Sequence, residues 1–89
     1  MVTAVVLLTV QRQHIKAVAE KLAEMPEVRE VYSVAGKFDL VAIVRVRANE
    51  DLADLVTDRM VTLEGILDTE TLIAFRAYSR RDIDAGFSL

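Results

Sequence analysis

The chain has no cysteine and no tryptophan, a single histidine, a single proline and three glycines among its 89 residues. Without cysteine it has neither disulfides nor thiolate metal sites, which fits a reducing cytoplasm. The single histidine, His14, leaves no Ser-His-Asp or Cys-His set, and there is no glycine-rich phosphate loop. We therefore expect a non-enzymatic protein with no catalytic residue, no metal site and no cofactor.

Long apolar runs are also missing. A run such as Ala4–Leu8 is far shorter than the roughly 20 residues that a membrane-spanning helix needs. Met1-Val2-Thr3 lacks the basic start of a signal peptide. The formal charge of −3 argues against binding nucleic acid through bulk electrostatics. These features predict a soluble, cytoplasmic protein that does not bind membranes.

Apolar residues are abundant for so short a chain, at 53% of the total. A single domain of this length buries only about 60–65% of the surface that its unfolded chain exposes. So much apolar surface is difficult for one small domain to cover alone. Association with further copies of the chain is the simplest way to cover the remaining apolar surface.

Two hydrophobic periodicities alternate along the chain and predict its elements. Apolar residues at period two, many of them β-branched, predict strands, whereas apolar residues three or four positions apart predict helices. Pro26 ends the first helix, Asn49 is the expected N-cap of the second, and Gly65 ends the second. In chain order we predict strand Val2–Val10, helix His14–Met25, strands Val28–Ala35 and Leu40–Val46, the second helix, and strand Ile66–Ala77.

The two halves of the chain match each other at a spacing of about 38 residues. Val5 corresponds to Ile43, and Leu22 to Met60. The element order βαββαβ therefore predicts an α+β, ferredoxin-like domain over residues 1–89. Its four-stranded antiparallel sheet would carry both helices on one face.

The central strands are apolar on both of their faces. In the first strand Ala4 and Val6 point one way, while Val5 and Leu7 point the other. The helices can cover only one of these sets. A sheet with one solvated face would instead alternate apolar and polar residues. We therefore expect a homodimer in which a second copy packs sheet against sheet.

The loop Gly36-Lys37-Phe38-Asp39 is the first candidate ligand site. Its backbone N–H groups suit the carboxylate of a small zwitterion, the Asp39 carboxylate suits the ammonium group, and Phe38 offers an apolar wall. The structural alternative is a plain hairpin in which Gly36 takes a positive φ and Asp39 caps its own turn.

Thr69 and Thr71 form the second candidate site, because they share one face of the fourth strand. Their hydroxyls can bind a ligand or bond to the neighbouring strand. The residues can also stand there only for their β propensity. In the tail, residues 78–89, the apolar side chains Ile83, Phe87 and Leu89 either dock on a neighbouring subunit or fray, and the sequence does not decide between these.

Several short motifs in a fixed order resemble the effector-binding domain of the Lrp/AsnC transcription regulators. They are Met25-Pro26-Glu27-Val28, Val31-Tyr32-Ser33-Val34, Gly36-Lys37-Phe38-Asp39-Leu40, and Gly65-Ile66-Leu67-Asp68-Thr69-Glu70-Thr71, which matches the family pattern Gly-Val-x-x-Thr-x-Thr. The likeness covers about residues 2–76. It implies a dimeric α/β barrel, dimers that often build octameric rings, and amino acids or related metabolites bound between dimers near the loop.

The resemblance also assigns roles by position. Gly36, Phe38 and Asp39 take the family's loop roles, and Thr69 and Thr71 those of the fourth strand. Lys37 stands where acidic residues are common in the family, a departure that would alter ligand charge preference.

A second departure from the family is the missing helix-turn-helix, since the first strand starts at Val2. We therefore expect a stand-alone regulatory module without direct DNA binding. It would act by associating with full-length Lrp/AsnC regulators or by sequestering effector.

The alternative is a small cofactor-free enzyme of the dimeric α/β-barrel type, similar to the monooxygenases that share this fold. The absence of tryptophan and cysteine and the position of His14 count against it. A deep apolar cavity between helices and sheet, with polar groups converging inside, would favour the enzyme. A pocket at the subunit boundary beside Asp39 would favour the sensor.

Overall fold

The structure is a computed structural model that describes residues 1–80. Its strands, β1 (Val2–Val10), β2 (Val28–Ser33), β3 (Leu40–Val46) and β4 (Ile66–Ile73), form one antiparallel sheet in the order β2-β3-β1-β4. A 3₁₀ turn (Arg12–His14) and helix α1 (Ile15–Ala23) connect β1 to β2. Helix α2 (Asn49–Asp54) and a π-helical segment (Leu55–Met60) connect β3 to β4. The predicted α+β, ferredoxin-like order βαββαβ is confirmed.

One face of the sheet packs against both helical connections and forms the core. Each buried residue of β1 alternates with a less buried one, as the strand period requires. Val18 and Leu22 of α1, Leu52 of α2, and Leu55 and Met60 of the π-helical segment complete this core. The strand residues of the core are Ala4, Val6, Leu8, Val10, Val28, Leu40, Ala42, Val44 and Val46.

The opposite face, which we call the open face, carries a second apolar set. Directly paired residues share a face, so the pairs Val5↔Ile43 and Leu7↔Val41 place all four side chains there. Each is half-buried, and no helix of the described chain lies over them. The predicted alternation of the central strands is therefore confirmed.

The second helix is not continuous, which differs from the sequence prediction. The Val61 amide donates to the Val56 carbonyl at 3.2 Å, a bond of the i→i+5 type that defines a π-helical turn. Leu55 and Met60 are both fully buried although they are five residues apart. In a regular α-helix they would diverge by about 140°. The wider turn brings both side chains into the core.

Several predicted boundaries are wrong. Helix α1 covers Ile15–Ala23 rather than His14–Met25, and the second helical connection ends at Met60 rather than next to Gly65. The residue that precedes α2 is Ala48, so Asn49 is the first helical residue rather than its N-cap. Strand β2 ends at Ser33 rather than Ala35. Strand β4 ends at Ile73 rather than Ala77, because its last bond to β1 is from the Ala74 amide to the Thr3 carbonyl, at 2.9 Å, and β1 begins at Val2.

His14 has a packing role at the start of β4. Gly65 has φ +101°, and a Cβ atom placed there would overlap the His14 side chain, at 2.7 Å from its Cγ. Nε2 of His14 lies 3.7 Å from Glu64, and Nδ1 is buried without a partner among residues 1–80. Glycine at position 65 is therefore required both by backbone conformation and by close approach.

None of the helices within residues 1–80 combines the length and the hydropathy that a bilayer-spanning segment requires.

Candidate functional site

The Gly36–Asp39 loop connects the ends of β2 and β3. Gly36 has φ +128°, as the sequence predicts, and nothing lies within 4 Å of a Cβ atom built on it. Gly36 and Lys37 are exposed, whereas Phe38 and Asp39 are half-buried. The Lys37 Nζ atom lies 5.9 Å from the centre of the Phe38 ring, which is a cation–π contact.

Asp39 is held in the sheet by hydrogen bonds over long sequence distances. Its Oδ2 accepts from the Val10 amide at 2.8 Å, and its own amide donates to the Leu8 carbonyl at 2.9 Å. The carboxylate therefore caps the irregularity at the end of β1, where the pairing with β4 shifts between Thr9 and Val10. The alternative in which Asp39 caps its own turn is wrong, because its carboxylate caps Val10 on another strand instead. Sequence reasoning missed the Val10 contact because 29 residues separate the two partners.

The amides of the loop are available to a ligand. Within residues 1–80, the backbone N–H groups of residues 35–38 donate no hydrogen bond. Unpaired amides followed directly in the chain by a carboxylate supply both kinds of group that a small zwitterion needs, amides for its carboxylate and Asp39 for its ammonium group. Asp39 Oδ1 is the oxygen left for this contact.

Thr69 and Thr71 lie on the helix-covered face of β4, because they pair with the buried Leu8 and Val6. Both are half-buried, and within residues 1–80 neither hydroxyl forms a hydrogen bond. The alternative in which these hydroxyls bond to the neighbouring strand is therefore not seen in this part of the chain.

The subunit brings the two candidate sites to the same end of the sheet without joining them. Leu8 lies between them: Asp39 bonds to it from the β3 side, and Thr69 pairs with it from the β4 side. Two strand spacings separate β3 from β4, which is about 10 Å. Thr71 lies about 7 Å further along β4.

A separate apolar groove lies between α2 and β4. It has a volume of about 270 Å³, and its polar lining consists of Asn49, Thr57 and Thr71. No titratable side chain of the described chain lines it. General acid–base chemistry needs such a group, so this groove does not supply the convergent polar site that would favour an enzyme.

No group of three or more metal-binding side chains converges within the described ranges.

The chain belongs to the Lrp/AsnC family: the model of the Lrp/AsnC ligand binding domain matches residues 3–83. The HTH-type transcriptional regulator FL11 of Pyrococcus furiosus is 31% identical over 77 residues, which are 86% of this chain and 50% of FL11. The chain thus spans about half the length of this curated relative.

Solved structures agree on the fold. TTHA0845 from Thermus thermophilus is 51% identical, with a TM-score of 0.85 over 90% of this chain and 100% of that one. The regulator NMB0573 of Neisseria meningitidis, solved as an L-Met complex, is 14% identical, with a TM-score of 0.82 over 89% of this chain and 53% of that one. At that identity the second likeness shows the fold alone.

Proposed function

We propose that this chain is an oligomeric regulatory module that binds an amino acid or a related metabolite at the Gly36–Asp39 loop, with Thr69 and Thr71 completing the site across a subunit boundary. The observation that carries the proposal is the row of unpaired amides at residues 35–38 beside a carboxylate that is fixed to β1. Family membership supports it, because the matching domain is named for ligand binding and FL11 is named as a transcriptional regulator.

The open face supports the oligomeric part of the proposal. Val5, Leu7, Val41 and Ile43 form a continuous apolar patch, and Leu72, which pairs with Val5, extends it while remaining 49% exposed. Covering several hundred Å² of such surface gives on the order of 10 kcal/mol before the costs of association. A homodimer with the open faces in contact is the expected unit, and an octameric ring of dimers is the expected larger assembly.

The segment after β4 fits the same arrangement. Phe75 is fully exposed and Tyr78 is 71% exposed, although aromatic side chains usually find apolar surroundings. Both follow β4 closely along the chain, and in the proposed assembly they would contact a neighbouring subunit. The sequence left open whether the tail, residues 78–89, docks on a neighbour or frays, and its apolar residues Ile83, Phe87 and Leu89 lie outside the described residues.

The regulatory role follows from effector-dependent assembly. A ligand held between subunits stabilises the assembly that contains it. The module would then change transcription by associating with full-length Lrp/AsnC regulators or by sequestering their effector.

The test is calorimetric titration of the oligomer with each proteinogenic amino acid. We expect saturable binding of at least one amino acid, its loss in Asp39→Asn, and weakening in the double variant Thr69→Val/Thr71→Val. The matched control is Asp58→Asn on the exposed side of the π-helical segment, which makes the same charge change. No heat with any amino acid, or equal behaviour of D39N and wild type, would contradict the proposal.

A further inference from the structure

A cleft of about 400 Å³ lies at the end of the sheet opposite the Gly36–Asp39 loop. It is bounded by the start of β2, the end of β3, α2 and the π-helical segment. Strand β3 spans about 20 Å between this end and the loop. The cleft is therefore spatially separate from the proposed amino acid site.

Arginine is concentrated in this cleft. Four of the eight arginines of the chain line it, namely Arg29, Arg45, Arg47 and Arg59. The chain as a whole carries a net charge of −3, so this concentration opposes the overall charge. Arg45 shares the open face of β3 with Ile43, at the end of that face, and Arg47 follows directly after Val46, the last residue of the strand.

Most of the charges in the cleft have no partner among the described residues. Within residues 1–80, Arg29, Arg45 and Arg47 form neither an ion pair nor a side-chain hydrogen bond, and the same holds for the carboxylates of Asp51 and Asp54. Guanidinium groups bind carboxylate or phosphate oxygens in pairs of parallel hydrogen bonds. Carboxylates accept hydrogen bonds from N–H or O–H donors.

The remaining charged pair forms a fixed wall of the cleft. Arg59 donates to Glu27 Oε2, and this bond lowers the pKa of Glu27 below its ordinary value. The other oxygen of Glu27, Oε1, is buried and has no partner among residues 1–80. Arg59 is thus already paired, which leaves the other three guanidinium groups for a ligand.

We propose that this cleft is a second ligand site, for a small oxyanion that also carries hydrogen-bond donors. Its phosphate or carboxylate oxygens are held by Arg29, Arg45 and Arg47. Its N–H or O–H groups meet Asp51 and Asp54. A volume of about 400 Å³ falls within the usual range for small-molecule sites. The site makes the module responsive to a metabolite other than the amino acid bound at the loop.

The experiment titrates the full chain with adenosine monophosphate, a phosphate ester with donors, and with citrate, a polycarboxylate with a hydroxyl donor. Binding is measured by calorimetry at about 0.15 M ionic strength, where nonspecific surface attraction is screened beyond about 8 Å. NMR follows the arginine side-chain N–H signals. We expect at least one probe to bind saturably and to shift the signals of Arg29, Arg45 and Arg47. The two probes separate phosphate from carboxylate recognition.

Matched double variants test the assignment. Arg45→Gln/Arg47→Gln removes two exposed guanidinium groups from the cleft, and Arg12→Gln/Arg76→Gln removes two exposed ones elsewhere with the same charge change. We expect the first variant to weaken binding by about tenfold or more, because hydrogen bonds to charged groups are lost, and the second to bind as wild type does. Circular dichroism checks that both are folded.

Three outcomes would overturn this proposal. They are no saturable binding of either probe, equal weakening by both double variants, and a first variant that changes sedimentation but not probe binding, which would assign the arginines to a subunit contact. Asp39→Asn separates the two sites: it should abolish amino acid binding and leave probe binding unchanged. A failure at the loop therefore does not imply a failure at the cleft.

Discussion

At the scale of single residues, Asp39 has two roles, one for each oxygen of its carboxylate. Oδ2 accepts from the Val10 amide and so stabilises the irregular end of β1. Oδ1 is the oxygen that the proposed ligand uses. The distinction matters for mutagenesis, because removing the whole carboxylate affects stability and binding together.

Asp39→Ala should lower the free energy of unfolding by about 1–2 kcal/mol, because it leaves the amide of the buried Val10 without an acceptor. Asp39→Asn keeps an acceptor oxygen and should cost less. Urea unfolding at a fixed protomer concentration measures both. Wild-type stability in D39A would mean that the Val10 bond contributes nothing.

The glycines at positions 36 and 65 form a natural pair for comparison. Both have positive φ, but only Gly65 has a neighbour, His14, where a Cβ atom would lie. Gly36→Ala should cost about 1 kcal/mol for the backbone alone. Gly65→Ala should cost about 2–3 kcal/mol, because His14 must also move. Thermal unfolding of both variants checks this, and equal losses would show that the His14 contact carries no strain.

The residue scale also shows what local sequence patterns can reveal. The positive φ of Gly36 was predictable because the residue lies between two strand patterns. The bond from Val10 to Asp39 was not, since it depends on how β3 and β1 pair. The arginine cleft was not predictable either, because it forms only when two strands and a helix pack together. The i,i+2 spacing of Arg45 and Arg47 was its one local signal.

At the scale of elements, the π-helical segment shows how packing changes a regular helix. The helical periodicity between Asn49 and Gly65 correctly predicted a helical connection. It did not reveal the wider turn, because the burial of both Leu55 and Met60 is a property of the sheet beneath them. The end of β4 was equally unpredictable, because it depends on where its partner β1 begins.

Met60→Ala tests whether the π-helical segment is part of the core. Met60 is fully buried, so truncation should cost about 2–5 kcal/mol. The neighbouring Val61 is 49% exposed, and Val61→Ala should change stability by less than about 0.5 kcal/mol. Urea unfolding of the two variants gives the comparison. Similar values would mean that the segment does not pack as described.

The Glu27–Arg59 bond joins the start of β2 to the π-helical segment. Its contribution to the free energy of unfolding depends on pH. The bond from Arg59 lowers the pKa of Glu27 in the folded state. Its stabilisation is therefore present at neutral pH and is lost as the pH falls through the ordinary glutamate range, near about 4.3, and below.

Because both side chains are partly exposed, the stability difference between wild type and Arg59→Gln should be below about 1 kcal/mol at pH 7. It should shrink toward zero at acidic pH. Urea unfolding across this pH range measures it. A difference that does not change with pH would exclude Glu27 as the cause.

At the scale of the whole molecule, the sheet is apolar on both faces, and the helices within residues 1–80 cover only one of them. The alternation in β1 and β3 was readable from the sequence because the strand period is two. The strands at the edges, β2 and β4, are the more polar ones. Together with family membership, this makes the open face the surface on which the proposed assembly depends.

The most direct measurement of that claim is the mass of the folded protein in solution, from sedimentation over a range of concentrations down to about micromolar. We expect at least twice the subunit mass of 9.9 kDa. Ile43→Glu on the open face should give folded monomers, and Ala23→Glu, on the exposed side of α1, should not. A wild-type protein that stays a well-folded monomer throughout would contradict the account.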